Sequence, residues 1–85
     1  MATIKQFRGM DLLIYSNDHE PAHAHVRKGG EWVLKIELGK ADNPSKIMED
    51  AYSELVSAKW RKLAVNLVED NLDDCWDAWN RFHND

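Results

Sequence analysis

Three histidines lie close together in a stretch that alternates apolar and polar side chains. His23 and His25 are two positions apart, and His19 precedes them by four residues. If residues 22–26 form a strand, His23 and His25 leave the same face, about 6.6 Å apart along the chain. Imidazoles placed in this way can converge on a divalent ion such as zinc, with bonds of roughly 2.0–2.1 Å. The spacing therefore predicts a metal site formed by His19, His23 and His25.

Two carboxylates could complete that site. Asp18 or Glu37 could supply an oxygen ligand or orient an imidazole ring. Three protein ligands with an open fourth position are typical of catalytic zinc sites, whereas structural sites are closed. The metal hypothesis therefore has an enzymatic form and a form in which the ion only stabilises the fold.

The same histidines also fit a catalytic site without metal. A histidine titrates near neutral pH and can act as a general acid or base. Arg27 and Lys35 are expected on the same face and could hold a phosphate group. Such a set is typical of a ribonuclease or another phosphodiesterase. The candidate catalytic residues are His19, His23, His25, Arg27 and Lys35.

A structural interpretation stays open beside the chemical ones. His23 is expected opposite Glu37, and such a cross-strand pair contributes about 0.2–1 kcal/mol without any further role. Four other residues that could do chemistry are assigned to packing or to solvent. Cys75, Trp76 and Trp79 share the apolar phase of a predicted helix and are expected in the core, whereas His83 is expected to be solvated near the end of the chain.

Two strands must position the histidines. Residues 22–26 and 32–38 each alternate apolar and polar side chains, which predicts strands with one buried face. A two-residue turn between them would oppose polar to apolar residues. A three-residue loop over residues 29–31 instead places Val26 opposite Leu34. Because a slip of one residue exchanges the two faces, burial favours the three-residue loop.

The flanking segments complete an α+β fold. Residues 3–7 and 12–16 are predicted strands joined by a turn. Residues 39–56 are ambiguous: a helix could begin at Asn43-Pro44, or residues 47–52 could form a short strand or extended connector. From Ser57 the apolar spacing predicts helix, either one long helix or two short ones separated near Asp70-Asn71. The expected architecture is a small antiparallel sheet of three to four strands with one face packed by C-terminal helix.

Composition limits the class of protein. The 85 residues are expected to form a single domain, residues 1–85, and its thin margin of stability would gain from a homodimer. One cysteine permits neither an internal disulfide nor a cysteine-based zinc site. A net charge of -4 argues against DNA binding by bulk electrostatics. No apolar run suits a signal peptide or a membrane span, so a cytoplasmic protein is expected.

The histidine segment resembles a known family signature. The residues from Asp18 to Val26 resemble the Asp-His-x-Pro-x-His-x-His-Val motif of a bacterial family catalogued as domain of unknown function 4160, and the similarity extends almost end to end. Ala22 stands where the family often has a second proline, and Ala24 where it often has an aromatic residue. The matching positions are Asp18, His19, Pro21, His23, His25 and Val26, with Trp79 for a late tryptophan.

The resemblance directs the functional hypotheses. Genes of this family often resemble small two-gene modules, which implies a toxin–antitoxin role for some members. Together with the small size, acidity and high tryptophan content, this favours a small bacterial or phage protein that acts through a protein partner, in a toxin–antitoxin-like or inhibitory module. The alternative is a histidine-based ribonuclease or phosphodiesterase with RNA as substrate, with or without a divalent metal.

Overall fold

A computed structural model describes residues 1–83 as an antiparallel sheet covered by two helices. The predicted α+β class is confirmed, but the sheet has five strands rather than three to four. The strands follow the chain order across the sheet, so each pairs with its sequence neighbour. The elements are β1 (Ala2–Phe7), β2 (Met10–Ile14), β3 (His23–Lys28), β4 (Trp32–Glu37), β5 (Lys46–Ile47), a 3-10 turn (Ser53–Leu55), α1 (Ala58–Asp70) and α2 (Leu72–His83).

The first hairpin is tighter than the sequence suggested. Arg8 and Gly9 both have positive φ, at 52° and 80°, and they alone separate β1 from β2. Two such residues form the type I′ turn whose twist matches that of a hairpin. Met10, which the prediction placed in the turn, is therefore the first residue of β2 and is fully buried.

The second hairpin has the predicted register. Val26 lies opposite Leu34, and His25 lies opposite Lys35. Residues 29–31 form the connection, and the amide of Glu31 donates to the carbonyl oxygen of Lys28 at 2.9 Å. The three-residue loop is therefore confirmed. It keeps Val26 and Leu34 in the core and leaves the histidines on the other side of β3.

The ambiguous segment is extended and does not form a helix at Asn43-Pro44. β5 is the fifth strand; a short strand over residues 47–52 was one of the predicted alternatives, but β5 is Lys46–Ile47 and pairs with the end of β4, at Ile36 and Glu37. The segment folds back so tightly that a Cβ on Gly39 would lie 2.6 Å from the amide nitrogen of Ser45. The buried Ser45 hydroxyl accepts a hydrogen bond from the Gly39 amide at 2.8 Å.

The C-terminal helical region consists of two helices. Asn71 separates α1 from α2, and its side-chain amide donates to the carbonyl oxygen of Leu67 at 2.9 Å. Both helices pack on the same apolar cluster as β2, β3 and β4. Cys75 lies in this core as predicted, and burial raises the pKa of its thiol to about 12. Neither helix in residues 1–83 is long and apolar enough to cross a membrane.

Candidate metal centre

The start of β3 presents two histidine rings to a loop that folds over them. Strand alternation sends His23 and His25 to the side of β3 opposite Ala24 and Val26, which face the core. Both rings are largely buried, with side-chain exposures of 8% and 12%. The loop between β2 and β3 places Asp18 against them.

The three side chains converge through single atoms. Asp18 Oδ2 lies 3.2 Å from His23 Nε2 and 3.5 Å from His25 Nε2. Each of the three residues offers a ligand atom within 4.8 Å of the other two. Ligands bound tetrahedrally to Zn²⁺ at roughly 2.0–2.1 Å lie about 3.3 Å apart. The two distances from Asp18 Oδ2 therefore match those between ligands of one small divalent ion.

A backbone contact fixes the orientation of the His23 ring. Nδ1 of His23 lies 2.9 Å from the carbonyl oxygen of Pro21. A carbonyl oxygen can only accept, so Nδ1 carries the proton of this hydrogen bond. In the neutral ring Nε2 then presents a lone pair to Asp18. A metal-binding histidine usually has this arrangement, with its second nitrogen donating to a backbone carbonyl or carboxylate.

The second ring, His25, is held in its neutral form. Burial lowers its pKa to about 4; the carboxylate of Asp18 opposes this shift, and His23 and Lys35 add to it. The ring rests on Tyr15, with centroids 4.5 Å apart. Asp18 Oδ2 and His25 Nε2 are both buried, and neither has a hydrogen-bond partner within residues 1–83. With both rings neutral, electron pairs from two imidazoles and a carboxylate converge on one point.

A comparison with family models places this motif in a known group. The model for a domain of unknown function, DUF4160, matches residues 9–80. The chain belongs to this family. Asp18, His23 and His25 all lie within the matched residues of this DUF4160 member. Neither the curated proteins nor the solved structures that were searched contain a match to it.

The other candidate residues of this DUF4160 member stand apart from the centre. His19 is exposed and is not one of the three grouped side chains. Arg27 bonds to the carboxylate of Asp11 at 3.1 Å, and this hydrogen bond is the main reason that the pKa of Asp11 is lowered. Lys35 is exposed and lies across from His25 in the pairing of β3 with β4.

His83 was predicted to be solvated, and that prediction is wrong. Its Nε2 lies 2.7 Å from the backbone oxygen of Asp18, and its Nδ1 lies 2.9 Å from the carbonyl oxygen of Trp79. The ring also stacks on Trp79, with centroids 3.7 Å apart. Both acceptors are carbonyl groups, so both contacts are hydrogen bonds only when the ring carries two protons.

The contact between His83 and Trp79 could have been predicted from the sequence. Trp79 and His83 are four positions apart on a predicted helix, where side chains are neighbours. The contact with Asp18 spans 65 residues, and no local pattern reports it. Trp79 is buried as predicted, and its ring also lies 5.7 Å from that of His23.

Proposed function

We propose that this protein binds a divalent metal ion such as zinc through Asp18, His23 and His25, and that the centre hydrolyses phosphodiester bonds in RNA. The observation that carries the proposal is the convergence of three electron-pair donors, of which Asp18 Oδ2 and His25 Nε2 have no hydrogen-bond partner in the described part of the chain. Two imidazoles and one carboxylate are the donor set of several catalytic metal sites. An ion held there would supply Lewis-acid activation of water and of a phosphoryl oxygen.

Charged residues of both signs lie around this part of the chain. A groove of about 410 Å³ is lined by Glu20, by Pro21, whose backbone oxygen contacts His23, and by Glu37, the cross-strand neighbour of His23. Lys40 and Lys46 also line it. Lys35 adds a third ammonium group across from His25. These cations can offset the charge of a phosphate that approaches the centre.

RNA cleavage by metal-loaded protein tests the catalytic proposal. We expect the protein stripped with chelator to be inactive on a mixed RNA pool, and Zn²⁺ to restore cleavage. The double variant His23→Ala/His25→Ala should stay inactive after reloading. Lys35→Gln should raise KM, whereas Lys62→Gln, which removes an exposed lysine of α1, should not.

Two results would contradict catalysis. Cleavage that persists in the double histidine variant would come from another site or a contaminant. A protein that binds metal at one equivalent and cleaves no RNA would leave the metal with a structural role.

A second function is favoured by an exposed apolar surface at the outer edge of β4. Since β5 pairs only with the end of β4, the edge at Val33 stays open, and Val33 is 49% exposed. Tyr52 and Leu55 are 77% and 82% exposed, and with Val33 they line a groove of about 550 Å³. Exposed apolar groups around an open strand edge suit a protein partner. This supports action through a partner in a toxin–antitoxin-like or inhibitory module of a bacterium or phage.

Co-purification from the native host tests the partner proposal. We expect one protein to co-purify in stoichiometric amount with the wild type and to be lost with Tyr52→Ser/Leu55→Ser. Phe7→Ser is the matched control, because Phe7 is an exposed aromatic residue at another edge of the sheet. Equal recovery with both variants would place the partner elsewhere, and the absence of any stoichiometric protein would contradict the proposal.

A further inference from the structure

The ligand Asp18 lies on a loop, whereas the two histidines lie on a strand. Residues 15–22 have no regular secondary structure, and the carboxylate must nevertheless remain close to two ring nitrogens of β3. A ligand set works only when its members are held within about 0.5 Å of the required geometry. The backbone of the loop therefore needs an anchor at or near Asp18.

The last residue of α2 supplies that anchor. His83 bonds through Nε2 to the backbone oxygen of Asp18, at 2.7 Å. The other ring nitrogen lies 2.9 Å from the carbonyl oxygen of Trp79, and the ring stacks on the Trp79 indole at an interplanar angle of 15°. Trp79 is only 2% exposed and also contacts the ring of His23. One end of α2 therefore contacts the loop ligand and one of the strand ligands.

We propose that His83 is a positioning residue of the metal centre. It holds the backbone of Asp18 from a helix 65 residues away, so that the carboxylate stays against His23 and His25. The inference rests on the metal-binding function proposed above. Groups that orient metal ligands typically account for 10–100-fold in metal affinity.

A purely structural role for His83 makes a different prediction. In that role Nδ1 would donate to the carbonyl oxygen of Trp79, in the last turn of α2, and so stabilise the helix end. If that were its whole effect, replacement would lower the melting temperature and leave the metal affinity of the folded protein unchanged. The two roles are therefore separated by measuring affinity and stability independently.

Titration with Co²⁺ provides the test, because its visible spectrum reports the geometry of the bound ligands. We expect His83→Ala to weaken Co²⁺ binding by about 10–100-fold and to change the spectrum. His83→Gln should recover part of the affinity, since its amide can donate to the Asp18 carbonyl. Arg81→Ala is the matched control, because it removes an exposed cation from the same helical turn and should bind as the wild type does.

The outcomes separate this inference from the function on which it rests. A wild type that binds no Co²⁺ overturns the metal centre and the positioning role with it. Tight binding by wild type together with unchanged affinity and spectrum in folded His83→Ala overturns only the role of His83. Hydrogen exchange of the metal-free protein adds a second readout. The backbone amides within residues 16–22 should exchange faster in His83→Ala than in the wild type. Unchanged exchange would contradict the proposed anchoring of the loop by His83.

Discussion

The metal binding proposed for the histidine segment depends on its buried lone pairs. Asp18 Oδ2 and His25 Nε2 lie 3.5 Å apart, and neither has a hydrogen-bond partner among the residues that the structure describes. Leaving such a group unsatisfied costs about 1–3 kcal/mol, and more when it is charged. The Nδ1 bond of His23 to Pro21 directs a third lone pair to the same point. A bound cation would satisfy all three atoms together, which no rotation of one side chain achieves.

The pKa of His25 sets a pH dependence for the metal-free protein. Burial lowers this pKa to about 4, against 6.5 for the ordinary side chain. The unfolded chain therefore takes up a proton below pH 6.5 while the folded chain does not. The contribution of neutral His25 to the free energy of unfolding is complete above pH 6.5 and is lost as the pH falls toward 4.

Urea denaturation at a series of pH values measures this contribution. We expect the free energy of unfolding of the wild type to fall between about pH 6.5 and 4 more steeply than that of His25→Gln, which cannot be protonated. The comparison removes the contribution of the carboxylates that do not contact His25. Parallel curves for the two proteins would show that His25 is not held neutral by the fold.

The ligands predicted from the sequence and the cluster in the structure differ at His19. The sequence grouped it with His23 and His25, but its side chain is exposed and outside the convergent group. We expect His19→Ala to leave Zn²⁺ affinity within about twofold of the wild type, in contrast to His23→Ala, which removes a ligand. Calorimetric titration of both variants measures this. A large loss with His19→Ala would mean that the loop rearranges to use it.

Among the secondary-structure elements, prediction from the sequence works best for strands whose residues alternate between buried and exposed. The β3–β4 register was predictable because a slip would expose Leu34 and Ile36, both fully or almost fully buried. The bounds of β5 were not predictable, because it has two residues and pairs through only Ile36 and Glu37. The break at Asn71 was ambiguous because the apolar phase continues from α1 into α2.

The candidate site, too, could be predicted from the sequence only in part. His23 and His25 share a strand, so their common face followed from spacing alone. Asp18 was a candidate through its neighbourhood in the chain and through the family motif, but loop geometry decides where its carboxylate points. The contact between His83 and the backbone of Asp18 could not be predicted, because it depends on how α2 packs beside that loop.

Alanine substitutions at two glycines test how tightly the irregular segment that follows β4 is packed. A Cβ at Gly39 would lie within 3 Å of three backbone atoms in residues 43–45, whereas a Cβ at Gly30 meets nothing within 4 Å. We expect Gly39→Ala to destabilise the protein by about 1–3 kcal/mol, the usual cost of overpacking, and Gly30→Ala to change stability by less than about 1 kcal/mol. Thermal melts measure both. Equal effects would mean that the segment relaxes at no cost.

For the whole molecule, the metal would be a substantial part of the stability. A chain of 85 residues buries a limited core, so any ligand that binds only the folded state has a large effect. At a free concentration 100 times Kd, the metal adds about 2.7 kcal/mol. For a domain of this size each kcal/mol shifts Tm by roughly 4–8 °C.

Calorimetry with and without chelator measures that contribution. We expect Zn²⁺ at saturating concentration to raise the Tm of the wild type by about 10–20 °C and to leave the Tm of His23→Ala/His25→Ala nearly unchanged. A rise of the same size in the double variant would indicate binding at some other site.

The central claim is that Asp18, His23 and His25 form a metal centre, and metal content tests it most directly. Tag-free protein is equilibrated with Zn²⁺, separated from free ions by gel filtration and subjected to elemental analysis beside His23→Ala/His25→Ala. We predict close to one equivalent of zinc in the wild type and a negligible amount in the double variant. A wild type that elutes without metal, or a double variant that retains the full equivalent, would contradict the account.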